Sequence, residues 1–239
     1  MRRWIVSIVA VCVWVAWGGA GMLSATPRVQ AAACTQDLGN LTTNGSMLGP
    51  GRTVAGYGGV ADAWYPFAFS PVVPTFEWVN YNANGDVAGT GSEYIWADLD
   101  LFDAGIYQTI TGLTPGVYYH FYAGFAQAAY DPGDMQNHRT DLIGRQVGVD
   151  VNGGTNPLAP TVAWGLIYWD GVASLNIPEL AMNFTPLADR ATIFIRVVNT
   201  NPIGRTKVWF DSICMTQMNP QPVVIPGLQF LPLVQRSQP

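Results

Sequence analysis

Gly105-Ile106-Tyr107-Gln108-Thr109-Ile110-Thr111-Gly112-Leu113-Thr114-Pro115-Gly116-Val117-Tyr118-Tyr119-His120-Phe121-Tyr122-Ala123 is the stretch that decides the fold. Two runs of strand-forming residues flank a Leu113–Gly116 turn, in which Pro115 presets φ and Gly116 supplies a positive φ. After the turn, Val117, Tyr119, Phe121 and Ala123 share one face of a strand, and Tyr118, His120 and Tyr122 share the other. Both faces are bulky, which predicts a strand inside a two-layered β-structure rather than a helix-backed sheet.

Working outward, strand candidates recur with turns between them. They are Thr53–Tyr57, Ala63–Phe69, Thr75–Val79, Glu93–Asp98, the two runs just quoted, Ile143–Val151, Val162–Trp169, Leu175–Phe184, Arg190–Asn199 and Lys207–Thr216. Gly58-Gly59, Pro66, Pro71, Pro74 and Asn152-Gly153-Gly154 punctuate them, and long polar loops follow Val79 and Tyr130. Nowhere do apolar residues keep a helical period for three turns, so an all-β antiparallel sandwich with little helix outside the N-terminal segment is expected.

Residues 1–33 read as a signal peptide: a basic Met1-Arg2-Arg3, an apolar Trp4–Leu23 and small Ala31-Ala32-Ala33. A retained membrane helix is the rival reading, since the run is long enough to span a bilayer. Residues 34–218 then form one domain, and the Pro-rich, apolar 219–239 is a tail, either extended along the domain or a retention or partner-docking segment. Secretion or cell-surface display is the expected location.

The 239-residue chain has 11 Lys+Arg against 16 Asp+Glu, and only 11% of its residues are charged. Without Arg2, Arg3 and Arg28 the balance is 8 against 16, a formal charge of −8, with Lys207 the single lysine. Such a surface excludes nucleic acid and anionic membranes as partners. Of the three cysteines, Cys12 lies in the signal segment, leaving Cys34 and Cys214. In an exported protein two cysteines suggest one bridge. A lipidated Cys34 and two free thiols are the alternatives; Ala31–Cys34 matches a lipoprotein box, although Pro27 and Arg28 part it from the apolar core.

Catalytic signatures are sparse. There is no Gly-x-Ser-x-Gly, only His120 and His138 are available as bases, and no zinc-ligand spacing occurs. Carboxylate pairs such as Glu77 with Asp98 or Asp100 with Asp150 keep a glycoside hydrolase open as a minor reading; the expected answer is no enzyme. Sugar binding asks for rings to cover a pyranose and polar groups for its hydroxyls. Trp64 and Tyr65, between Gly59 and Pro71, and Gln136, Asn137, His138 and Arg139, in the loop after Tyr130, are the aromatic and polar sets least committed to alternating strands. Trp78 and Trp96 are outside candidates. Core packing is the competing role for each tryptophan.

Gly105-Ile106-Tyr107-Gln108-Thr109, Leu113-Thr114-Pro115-Gly116-x-Tyr118, Val208-Trp209-Phe210-Asp211-Ser212-Ile213 and Asn44-Gly45-Ser46-Met47 together resemble the galactose-binding-like jelly rolls of carbohydrate-binding modules. The resemblance spans about 40–216 and rests on these short motifs. It implies a sandwich whose first and last strands are neighbours, which would bring Cys34 and Cys214 together. It also implies a structural calcium with Asp211 as a ligand, although Leu48 stands where the family carries an acidic residue. Asn80, Asn82, Asn84 and Asp86 only superficially echo a calcium loop. The Phe230–Val234 ending resembles those of exported proteins of some filamentous bacteria. The function implied is non-catalytic glycan binding in an exported bacterial protein. The alternative is a structural or adhesive surface subunit that uses its aromatics and tail on a protein partner.

Overall fold

The structure, a computed structural model, describes residues 39–69, 71–80, 91–98, 100–130, 143–169, 180–200 and 205–218, with the side chains of 124–130 outside that description. All fall within the compact unit Ala31–Pro239. The proposed signal segment, Cys34, the tail and the Gln136–Arg139 cluster lie outside the described residues.

Twelve strands follow one another: β1 (Gly51–Val54), β2 (Gly58–Ala61), β3 (Tyr65–Ala68), β4 (Thr75–Val79), β5 (Ser92–Asp98), β6 (Phe102–Thr111), β7 (Tyr119–Tyr130), β8 (Ile143–Asp150), β9 (Val162–Trp164), β10 (Ala181–Phe184), β11 (Arg190–Asn199) and β12 (Arg205–Gln217). Among the described residues there is no helix. The strands form a seven-stranded sheet, β1-β2-β4-β5-β12-β7-β10, and a five-stranded sheet, β3-β6-β11-β8-β9. Every pairing is antiparallel except the short β2–β4 contact. The expected all-β sandwich is what the chain forms.

Alternation explains the core. Ala104 and Ile106 on β6, Tyr119, Phe121 and Ala123 on β7, and Ile193, Ile195 and Val197 on β11 join one buried cluster between the sheets. The turn at Thr114–Val117 closes with Val117 N–H to Thr114 O (3.2 Å) and places Gly116 at φ +80°, a type II geometry. That turn does not make a hairpin: β6 belongs to the five-stranded sheet and β7 to the seven-stranded one, so it carries the chain across the core.

The expectation that first and last strands are neighbours is met in a modified form. β1 lies at the far edge of its sheet, but the segment before it runs along β12. Leu41 N–H donates to Met215 O, Ile213 N–H donates to Gly45 O (both 2.8 Å), and the Asn40 amide bonds Ile213 O and Met215 N–H. The Asn44–Met47 and Val208–Ile213 motifs therefore touch.

Candidate functional site

The outward face of the five-stranded sheet carries a register that the sequence does not display. Tyr65 on β3 pairs with Tyr107 on β6, Tyr107 with Phe194 on β11, Phe194 with Gly148 on β8, and Gly148 with Trp164 on β9. One cross-strand row thus holds Tyr65, Tyr107, Phe194, a gap, and Trp164. A Cβ on Gly148 would lie 2.5 Å from the Trp164 ring, so the glycine is what lets that indole lie over β8. Neighbouring rings are 5.5 Å (Tyr65–Tyr107), 5.7 Å (Tyr107–Phe194) and 5.7 Å (Phe194–Trp164) apart, spacings at which aromatic pairs attract.

Polar rows flank the rings. On one side Thr109 and Thr192 share a hydroxyl–hydroxyl hydrogen bond of 2.9 Å. On the other, Arg196 donates to Asp103 and to Gln146 Oε1 (2.8 Å), with its guanidinium 4.8 Å from the Phe69 centroid and 5.4 Å from that of Trp164. Phe194 is wholly buried beneath its neighbours, whereas Tyr65 is 50% exposed. The face is closed toward β9 and open toward β3.

At the open end lies a depression of about 460 Å³ lined by Thr43, Ala63, Tyr65, Tyr107, Gln108, Thr109 and Thr155. Gln108 is spent on structure: its oxygen accepts from Thr43 N–H (2.8 Å) and its NH2 donates to Thr43 O and Ala63 O. Burial pushes the Tyr107 phenol above its ordinary range, while a hydrogen bond with Thr155 acts the other way. Tyr107 is therefore a neutral hydroxyl, able to donate and accept. Arg52, on β1 of the other sheet, reaches across and sets its guanidinium 4.6 Å from the Tyr65 centroid.

The expected site residues fare differently. Tyr65 is brought to the depression, but Trp64 is corrected: its ring is wholly buried in the core, and its Nε1 donates to Asn44 O (3.1 Å). The turn Ala61–Trp64, closed by Trp64 N–H to Ala61 O with Ala63 at φ +70°, swings the indole inward just before β3 begins. Trp78 is half-buried against the core, donates to Met47 O (2.7 Å), and packs where Cβ atoms on Gly49, Gly51 and Gly91 would stand. Trp96 lies on the outward face of the other sheet, stacked on Tyr94 beneath Arg205 (4.4 Å). Neither joins the depression. His120, half-buried on β7 inside its sheet, bonds Asn183 Oδ1 (2.6 Å) on neighbouring β10.

Asp211, the calcium ligand that the resemblance implies, is buried, its carboxyl accepts a hydrogen bond from the backbone N–H of Ser212, and burial pushes it up to about 7. Among the described residues no three acidic, histidine or cysteine side chains cluster to hold a metal. Leu48 is exposed where the family pattern has a carboxylate.

Sequence reasoning missed Tyr107, Thr109 and Thr155. The alternation of β6 puts Tyr107 and Thr109 on one face, but only the β3–β6 register shows that Tyr65 is their neighbour.

No protein family profile matches the chain, and no curated protein sequence matches it. Solved structures similar to it include the bacteriophage CBA120 tailspike protein 4 enzymatically active domain, at 17% identity and TM-score 0.48, covering 75% of this chain and 21% of that one. A second is TmCBM61 in complex with β-1,4-galactotriose, at 14% identity and TM-score 0.41, covering 75% and 99%. A third is the CBM22-1–GH10 portion of Clostridium thermocellum endo-1,4-β-D-xylanase 10B complexed with xylohexaose, at 13% identity and TM-score 0.37, covering 67% and 27%. The chain spans about a fifth of the tailspike's length. The strand order and register described above carry the fold assignment: the chain is a β-sandwich of a seven-stranded and a five-stranded sheet.

Proposed function

We propose that the chain is an exported, non-catalytic module that binds glycan at the Tyr65–Tyr107 depression. The observation that carries this reading is a half-exposed tyrosine held by a stacked neighbour at the mouth of an open hollow lined with hydroxyls. A sugar needs both an apolar surface for its C–H face and groups that donate and accept for its hydroxyls. Tyr65 supplies the first; Tyr107, Thr43, Thr109 and Thr155 supply the second. A glycan array probed with the mature chain, repeated with Tyr65→Ala, tests it. Signal that Tyr65→Ala leaves intact would move the site elsewhere, and an array without signal would end the glycan reading.

The Cys34–Cys214 bridge belongs to the same proposal. Cys214 is buried on β12, and the Asn40 side-chain amide and Leu41 N–H are bonded to Ile213 and Met215 on either side of it. Cys34 lies six residues upstream of Asn40 in the sequence, a stretch that an extended chain covers at about 3.5 Å per residue. Intact-mass and peptide mapping of the mature protein would show the linked pair; a diacylglyceryl group on Cys34 would replace it with a membrane anchor.

A further inference from the structure

Arg52 differs from three of the other described arginines, which lie on carboxylates, and from Arg145, which is wholly buried. Arg190 lies on Asp189 (3.2 Å), Arg205 on Asp98 (2.6 Å), and Arg196 on Asp103. Arg52 has no carboxylate partner among the described residues. Its single hydrogen bond runs from Nη2 to the Trp64 carbonyl oxygen (2.6 Å), and its guanidinium plane is otherwise engaged only with the Tyr65 ring. The carboxyl that feels its charge, Glu93, is wholly buried and kept protonated up to about pH 8, so it does not neutralise Arg52 at neutral pH. Arg52 thus retains its cation and most of its five N–H donors beside the open hollow.

A guanidinium laid on a ring offers its edge, and that edge is a planar fork that matches a carboxylate with two parallel hydrogen bonds. We infer that the depression takes an acidic glycan, a uronate residue whose carboxylate is held by Arg52 at the edge of the Tyr65 ring while its hydroxyls meet Tyr107, Thr109 and Thr155. This rests on the glycan reading of the same site and narrows it to a substrate class. The setting favours specificity: the chain carries 16 Asp+Glu against 11 Lys+Arg, so an anionic polymer is repelled generally and gains only where a cation is unneutralised.

The test uses the mature chain and three uronate oligosaccharides, of galacturonate, glucuronate and mannuronate, each as the free acid and as its neutral methyl ester. At least one free acid should bind tenfold or more tightly than its ester, and added salt should erode that preference. Arg52→Gln should lower binding of the acid to the level of the ester, and Arg52→Lys should keep part of the preference. Melting temperatures of both variants guard against lost folding, and the acid–ester comparison on the unaltered protein stands without them. Equal binding of every acid and ester, or preference for neutral glycans on the array, overturns the uronate inference and leaves the glycan reading standing. Failure to bind any glycan overturns both.

Discussion

Replacing Glu93 by glutamine should make the fold more stable in mild alkali and flatten its dependence on pH. Glu93 points into the core from β5, is wholly buried, and has one hydrogen bond, from Ala61 N–H to Oε2 (2.7 Å); Oε1 has no partner. Burial raises its carboxyl from 4.5 to about 8, against smaller opposing effects from the Ala61 hydrogen bond and the Arg52 charge. The folded state therefore holds the proton more tightly than the unfolded chain. The stability this provides is complete below pH 4.5 and is lost as pH rises toward 8. At about 1.4 kcal/mol per pH unit, the interval amounts to about 5 kcal/mol as an upper bound, and water drawn toward the ionised group would reduce it to about 2–4 kcal/mol. Against a typical domain stability of about 5–15 kcal/mol that is a large fraction. Asp211, raised to about 7 by its own burial, contributes a loss of the same sign at lower pH. The window from pH 7 to 8.5 therefore belongs mainly to Glu93. Urea unfolding at pH 5, 7 and 8.5 should show the unaltered protein losing stability throughout, and Glu93→Gln should lose almost none between 7 and 8.5. Stability that is level or rises with pH in the unaltered protein, or a Glu93→Gln variant that still falls between 7 and 8.5, would refute the reasoning.

Tyr65→Ala should weaken glycan binding severalfold, measured by titration calorimetry, with the melting temperature nearly unchanged because half of the ring is already in water. Trp64→Ala should do the reverse, costing about 3–5 kcal/mol in urea unfolding through the cavity it leaves. Cys214→Ser should lower stability by up to about 5 kcal/mol if the bridge closes its loop of about 180 residues, and an unshifted urea midpoint would count against the bridge. Gly148→Val should displace the Trp164 ring, seen as a change in near-ultraviolet circular dichroism, because a Cβ there meets the indole at 2.5 Å.

Strands with clean alternation were legible. Thr75–Val79 and Arg190–Asn199 are β4 and β11 with the boundaries the sequence suggests, because each buries every second side chain against the opposing sheet. β2 was not: Gly58-Gly59 reads as a break, yet those residues pair with β1 at an edge where a side chain on Gly58 would strike Phe76 O. Nor could turn chemistry say where a strand goes. Pro115-Gly116 does reverse the chain, but the same type II turn serves a hairpin or a crossing between sheets. What selects the crossing is long-range pairing, β6 with β11 and β7 with β12, together with the hydrogen bonds from Leu113 N–H to Asp189 O and Gly116 N–H to Pro186 O that hold the turn against another loop.

Trp64 and Tyr65 show why the site itself was only half legible. The pair stands at a turn-to-strand boundary, and alternation requires that one face in and the other out without saying which. Composition favours the larger indole as a sugar platform, but size counts equally for the core, where a buried tryptophan fills more volume than any other side chain. The choice is made by Ala63 at φ +70°, which turns Trp64 inward onto Asn44 O, and by the β3–β6 register, which sets Tyr65 opposite Tyr107. Both are consequences of partners 20 to more than 40 residues away. The same register that buries the obvious ring assembles a less obvious row, in which Tyr107 and Thr109 line the depression beside Tyr65 of the edge strand β3. A sheet edge of this kind exposes one tyrosine, one stacked cation and several hydroxyls on a rigid backbone. The proposed glycan site rests on that set, and its proposed acid preference rests on Arg52 rather than on the number of tryptophans.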